Sequence, residues 1–116
     1  MSNPQGTCLS HIVFFTLKDK SEAKKQALVE ACRQYLSDQP GVVFFSTGTR
    51  EPELAREVND KDFDVSLNLV FESREAQDIY QSDARHDQFI AEQKDNWERV
   101  RVFDSNVPSG FCVKSA

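Results

Sequence analysis

Cys8-Leu-Ser-His-Ile-Val-Phe-Phe-Thr-Leu17 reads as a β-strand, and its composition decides how the rest of the chain is arranged. On a strand, alternate side chains share a face. His11, Val13, Phe15 and Leu17 then lie on one side and Ile12, Phe14 and Thr16 on the other. Both faces are apolar in the middle, so the strand is expected at the centre of a sheet, covered on both sides. His11 opens the face that carries Val13 and Phe15. It either points into a cavity or frays at the sheet edge.

Lys18-Asp19-Lys20 is a polar turn, and Ser21 has the hydroxyl to cap a helix. From Glu22 to Ser37, Ala23, Ala27, Leu28, Ala31, Tyr35 and Leu36 recur at helical spacing, with the charges mostly on the other side. Pro40-Gly41 ends that helix. Val42 to Arg50 alternates as a second strand, in which Gly48 suggests a bulge or a close backbone approach. Glu51 to Lys61 is acidic and reads as a solvated surface connection, with Pro52 opening a short helix. In the third strand Phe63, Val65, Leu67, Leu69 and Phe71 occupy alternate positions and mark a core face. Asp64, Ser66 and Asn68 face the other way, towards solvent or a wet cavity.

Ser73 can cap a second helix from Arg74 to Gln81, with Ala76, Ile79 and Tyr80 on its inner side. A third helix runs from about Ala84 to Trp97, with His86, Phe89, Ile90, Gln93 and Trp97 near one stripe. Tyr80 and His86 are too far apart to share a turn of one straight helix. They converge only if the chain bends, and Ser82-Asp83 is both a bend and a cap. A phenol beside an imidazole is a proton-transfer pair; the plainer alternative is a buried tyrosine and a part-buried histidine satisfying each other's hydrogen bonds. The last strand is Glu98 to Asp104. Residues 106–110 read as a turn, and Phe111-Cys-Val113 as a short apolar segment that pairs with something.

The order strand–helix–strand–strand–helix–strand, with its second helix split, is the α+β ferredoxin-like βαββαβ plan: an antiparallel sheet with helices on one face. The first strand is apolar on both sides, so the uncovered sheet face is expected to meet a second copy, sheet to sheet, in a two-fold dimer. Residues 1–7 read as a disordered leader, 8–107 as the domain and 108–116 as a tail, for which pairing with the partner subunit is left open.

At 116 residues, 39% of them hydrophobic and nine of them Phe, one domain can bury a core without staples. A net charge of −5 argues against nucleic acid or an anionic membrane as partner. No apolar run reaches the length of a membrane span. Cys8, Cys32 and Cys112 are widely spaced and odd in number, which fits neither a disulfide framework nor a zinc site and suits a reducing cytoplasm. Two histidines on distant elements and scattered carboxylates do not make a metal-ligand set, and no cofactor motif is present.

Taken together, His11-Ile-Val-Phe-Phe-Thr-Leu-Lys18, the Pro40-Gly41-Val42 helix exit, Gly48, Phe71-Glu-Ser73, Tyr80 followed by His86 and Phe89, and Val102-Phe-Asp104 resemble the stress-responsive dimeric α/β-barrel (Dabb) family. The resemblance covers about residues 9 to 105. It implies a homodimeric barrel and a pocket between sheet and helices in each subunit, with His11, Phe71 and Phe89 as pocket residues. A plant branch of this family cyclises polyketides with a tyrosine and a histidine of the second-helix region, here Tyr80 and His86. The sequence departs from that branch. Ala84 stands where the family often has proline before the histidine, and Val65 stands where the cyclases carry a further pocket histidine. The implied function is therefore an uncharacterised stress-responsive protein with a small-molecule pocket for an apolar or aromatic metabolite. The alternatives are a cofactor-free cyclase-like enzyme using the Tyr80/His86 pair, a non-catalytic binder, or a structural dimer. No residue set favours a monooxygenase of the same general fold.

Overall fold

The computed structural model describes residues 7–108. In chain order these form β1 (Thr7–Leu17), α1 (Glu22–Leu36), β2 (Val42–Thr49), β3 (Val65–Phe71), α2 (Arg74–Gln81), α3 (Ala84–Gln93), a single 3₁₀ turn (Lys94–Asn96) and β4 (Trp97–Pro108). The strands make one antiparallel sheet in the order β2-β3-β1-β4, with β1 in the interior as its two apolar faces demand. This is the ferredoxin-like plan.

Each helix starts on a side-chain cap that satisfies an otherwise orphaned backbone N–H. The Ser21 hydroxyl accepts from Lys24 N, that of Ser73 from Ala76 N, and the Asp83 carboxylate from Arg85 N at 2.7 Å. α1 turns Leu28, Ala31, Cys32 and Leu36 inward, and its Tyr35 hydroxyl donates to Glu92 of α3 at 2.7 Å. Beneath the helices, Val13, Phe15, Leu17, Val65, Leu67, Leu69 and Phe71 form the sheet side of the core. Fully burying one such side chain is worth about 1.5–3 kcal/mol.

After α1 the chain reverses at Gly41, whose φ of +81° is the only positive one among the described residues. A Cβ there would lie 2.4 Å from Ala76 Cβ. Glycine is required on both counts: the left-handed backbone and the close approach of α2.

Several expectations change. The bulge in β2 lies between Val42 and Phe44, not at Gly48, which pairs in register with Ser66 and has open space around it. No helix follows Pro52; residues 50–64 form turns and bends. Phe63 does not belong to the core face of β3. The strand starts at Val65, and Phe63 packs edge-on against Phe14, on the sheet face opposite the helices, with ring centroids 4.9 Å apart. Nor is Asp60, near the end of this connection, simply solvated. Asp60 pairs with Arg101 at 2.7 Å and Asp62 with Arg99 at 2.8 Å, while Asp64 Oδ2 accepts from Leu17 N and Lys20 Nζ. These contacts strap the connection across part of the sheet's open face. The helical stripe also stops short of Trp97, which already belongs to β4. β4 continues through Asn106–Pro108, where a turn was expected, because Thr7, Cys8 and Leu9 of β1 offer it partners. Residues 1–6 of the expected leader, and the tail with Phe111-Cys-Val113, lie outside the described residues.

Candidate functional site

The bend at Ser82-Asp83 positions the site. Ser82 N–H bonds back to Ile79 O and Asp83 N–H to Tyr80 O, closing α2, while Asp83 caps α3. The turn folds His86 back onto Tyr80, with ring centroids 4.7 Å apart and planes at 70°. Tyr80 also meets His11 edge-on at 5.9 Å and Phe71 at 5.0 Å. One phenol thus lies between two imidazoles.

Register supplies a fourth member. β1 pairs with β4 so that His11 stands beside Asp104, and His11 Nδ1 lies 2.5 Å from Asp104 Oδ1. A carboxylate only accepts, so Nδ1 carries the proton and Nε2 is left for chemistry. His11 is 5% exposed: it is inside the molecule rather than frayed at an edge.

These groups open on a cavity of about 410 Å³ between the β1–β4 side of the sheet and α2–α3. The cavity is polar at one end and apolar at the other. His11, Asp104, Tyr80, His86 and Gln77 mark the polar end; Phe15, Phe89, Ile90, Trp97 and Val100 mark the apolar one. Four residues of strand separate His11 from Phe15, about 13 Å of rise. Phe89 lines the wall and stacks with Phe15 and Trp97. Phe71 does not reach the wall; it is fully buried behind Tyr80 and His11.

Burial sets the protonation states. The His86 pKa is lowered, first by desolvation and then by His11, against the opposing pull of Asp87 and Asp83. Its Nδ1 is sealed in protein without a hydrogen-bond partner, which leaves Nε2 as the nitrogen available to an occupant of the cavity. The Tyr80 phenol is pushed well above its usual range by burial, so it is a proton donor at neutral pH. Among the described residues no hydrogen bond joins Tyr80 to His86; they meet as rings rather than satisfying each other's polar atoms.

With that geometry in hand, the sequence can be placed. It matches the Stress responsive A/B Barrel Domain family over residues 9–107. The chain belongs to the Dabb family. Solved structures agree on the fold. A dimeric ferredoxin-like protein of unknown function from Thermobifida fusca is 13% identical, with a TM-score of 0.75 over 89% of this chain and 93% of that one. A Dabb family protein from Mesorhizobium loti is 20% identical, with a TM-score of 0.71 over 85% and 95%. The hydroxynitrile lyase of Passiflora edulis is 18% identical, with a TM-score of 0.71 over 90% and 95%. No curated protein matches the sequence.

Within this Dabb domain, the residues His11, Tyr80, His86 and Phe89 named from sequence come together on one cavity, but sequence reasoning did not connect Asp104 to His11. The link needs the β1–β4 register, which no local pattern encodes. Gln77 was also missed, although it precedes Tyr80 by three residues and so shares its helix face.

Proposed function

We propose that this Dabb protein takes a small, largely apolar molecule into the His11–Tyr80–His86 cavity and transfers a proton on it without a cofactor. The observation that carries this reading is the pairing of a desolvated imidazole with a buried phenol at the polar end of an apolar cavity. Neutral His86, through Nε2, is the general base. It removes a proton from a carbon next to a carbonyl, and the Tyr80 hydroxyl donates a hydrogen bond to the oxygen on which the charge develops. His11, its proton held on Nδ1 by Asp104, offers Nε2 as an acceptor to a hydroxyl or N–H of the bound molecule. The hydroxynitrile lyase among its structural neighbours supports the compatibility of this scaffold with small-molecule chemistry; the fold alone implies no reaction.

We further infer that the working form is a homodimer joined through the sheet faces. Phe103 and Phe44 are 51% and 40% exposed on the face opposite the helices, and neighbours of the same fold from Thermobifida fusca, Bacteroides fragilis and Jannaschia are described as dimeric. Cys8 and Cys32 are both buried, and burial pushes the Cys32 thiol up to about 12, which suits an unreactive role in a reducing cytoplasm.

Native mass spectrometry of the protein purified from its host tests the cavity. A small molecule retained at a fixed ratio supports the reading and names the ligand class. Turnover of that molecule by wild type but not by His86→Ala supports proton transfer, whereas equal turnover by both would sink it. A ligand bound by both forms and never converted would instead make the protein a binder.

A further inference from the structure

Gln77 stands out within the cavity. It lies on the inner face of α2 with Ala76 and Tyr80 and is only 9% exposed. Glutamine is seldom this buried, and a buried amide is normally hydrogen-bonded. Here, among the described residues, no hydrogen bond reaches its side chain. Nor is its amide among the polar atoms sealed in protein without a partner, which are Gln39 Oε1, Asn68 Oδ1, His86 Nδ1 and Trp97 Nε1. Its free amide therefore borders the open space of the cavity, which it lines beside Tyr80. A leucine or methionine would complete the apolar stripe of α2 at this position. The amide instead presents a donor and an acceptor at the cavity wall.

We infer that Gln77 is a ligand-recognition residue, its Nε2 donating to and its Oε1 accepting from the polar end of the molecule in the cavity. The inference rests on the cavity being a ligand site, and it adds the chemistry of the ligand. A primary amide offers a donor group and an acceptor group side by side, so the matching head group both accepts and donates. The exposed part of Asp104 on the same wall disfavours a second carboxylate, so the head group is neutral: a hydroxyl or an amide. The apolar body then points along the cavity towards Phe15 and Trp97. Gln77 is thus placed to select among ligands of equal size by their head group.

Isothermal titration with 4-propylphenol and with propylbenzene, which has the same body without the hydroxyl, tests this on wild type, Gln77→Met and Gln77→Leu. Methionine keeps the length of the side chain and removes the amide. We expect wild type to prefer the phenol, and each variant to lose about 3- to 10-fold in phenol affinity while binding propylbenzene at least as well. The apo variants should melt no lower than wild type, because the amide makes no hydrogen bond within the described residues and an apolar side chain extends the stripe of Ala76 and Tyr80. A phenol preference unchanged in both variants would overturn the role of Gln77 and leave the cavity intact. So would propylbenzene binding as tightly as the phenol to wild type. Loss of the folded circular-dichroism spectrum in both variants would make the amide a structural group and also overturn the inference. If neither probe binds wild type, the reading of the cavity falls with it.

Discussion

Tyr80 and His86 are six positions and a helix break apart in sequence, yet their rings touch edge to face at 4.7 Å between centroids. The contact exists because Asp83 restarts the helix immediately after Ser82 has ended it. Two short helices, not one long one, carry the two halves of the site.

The lowered pKa of His86 has a consequence for stability. In the unfolded chain the imidazole takes up a proton near pH 6.5; in the folded protein it does so only at lower pH. Where the unfolded state binds more protons, stability falls as pH falls. His86 therefore costs the fold nothing above pH 6.5 and destabilises it progressively as pH drops through the folded value. Melting curves from pH 7.5 to 5 should show a decline for wild type that is shallower in His86→Gln. Identical slopes would mean that His86 is solvated. Any turnover that uses neutral His86 should persist into the same mildly acidic range.

Tyr80 separates packing from chemistry. Tyr80→Phe keeps the ring against His11, Phe71 and His86 and should change stability by less than about 1.5 kcal/mol while lowering turnover on an identified substrate by about 10²- to 10⁴-fold. Tyr80→Ala removes the ring from a position only 2% exposed and should cost about 3–5 kcal/mol. Unfolding in urea and a single-turnover assay distinguish the two. Full turnover by Tyr80→Phe would reduce the tyrosine to a packing residue.

The parts of the fold that could be read from sequence are those that local patterning controls. The doubly apolar β1, the alternation of Val65 to Phe71 and the caps at Ser21, Ser73 and Asp83 each act within a few residues, and each is where its pattern puts it. Long-range pairings were not legible. Phe63 continues the alternation of β3 in sequence but leaves it in space, because Phe14 on the other face offers a ring to pack against. Asp60 looks solvated until β4 brings Arg101 beside it, and no local pattern links Asp62 to Arg99. The same limit applies in the candidate site: the Tyr80–His86 convergence follows from a helix bend, whereas the His11–Asp104 pair needs a strand register that joins residues 93 positions apart.

Gly41 offers a test of the fold that does not involve the site. Gly41→Ala places a β-carbon in a left-handed conformation, at about 1–2 kcal/mol, and drives it into Ala76, adding about 1–3 kcal/mol of overpacking. The midpoint of chemical unfolding should fall accordingly. Gly48→Ala, with open space around its position, should cost far less. Equal effects of the two substitutions would contradict the described approach of α2 to the β2 start.

The open face of the sheet gives the last prediction. Ile12, Phe14, Phe44 and Phe103 lie opposite the helices, and the strap of residues 50–64 covers only the Phe14 end. Phe103 is half exposed and packs on Phe14 at 5.9 Å, so it sits at the boundary between the strapped and the bare surface. A carboxylate there would be desolvated by an opposing sheet but would face water in a monomer. Phe103→Glu should therefore shift sedimentation-equilibrium mass from two chains towards one, with little change in the circular-dichroism spectrum. Phe103→Leu, which keeps the face apolar, should remain dimeric. If wild type sediments as one chain, the exposed aromatics must serve another partner; if Phe103→Glu stays dimeric, the contact lies elsewhere on the molecule.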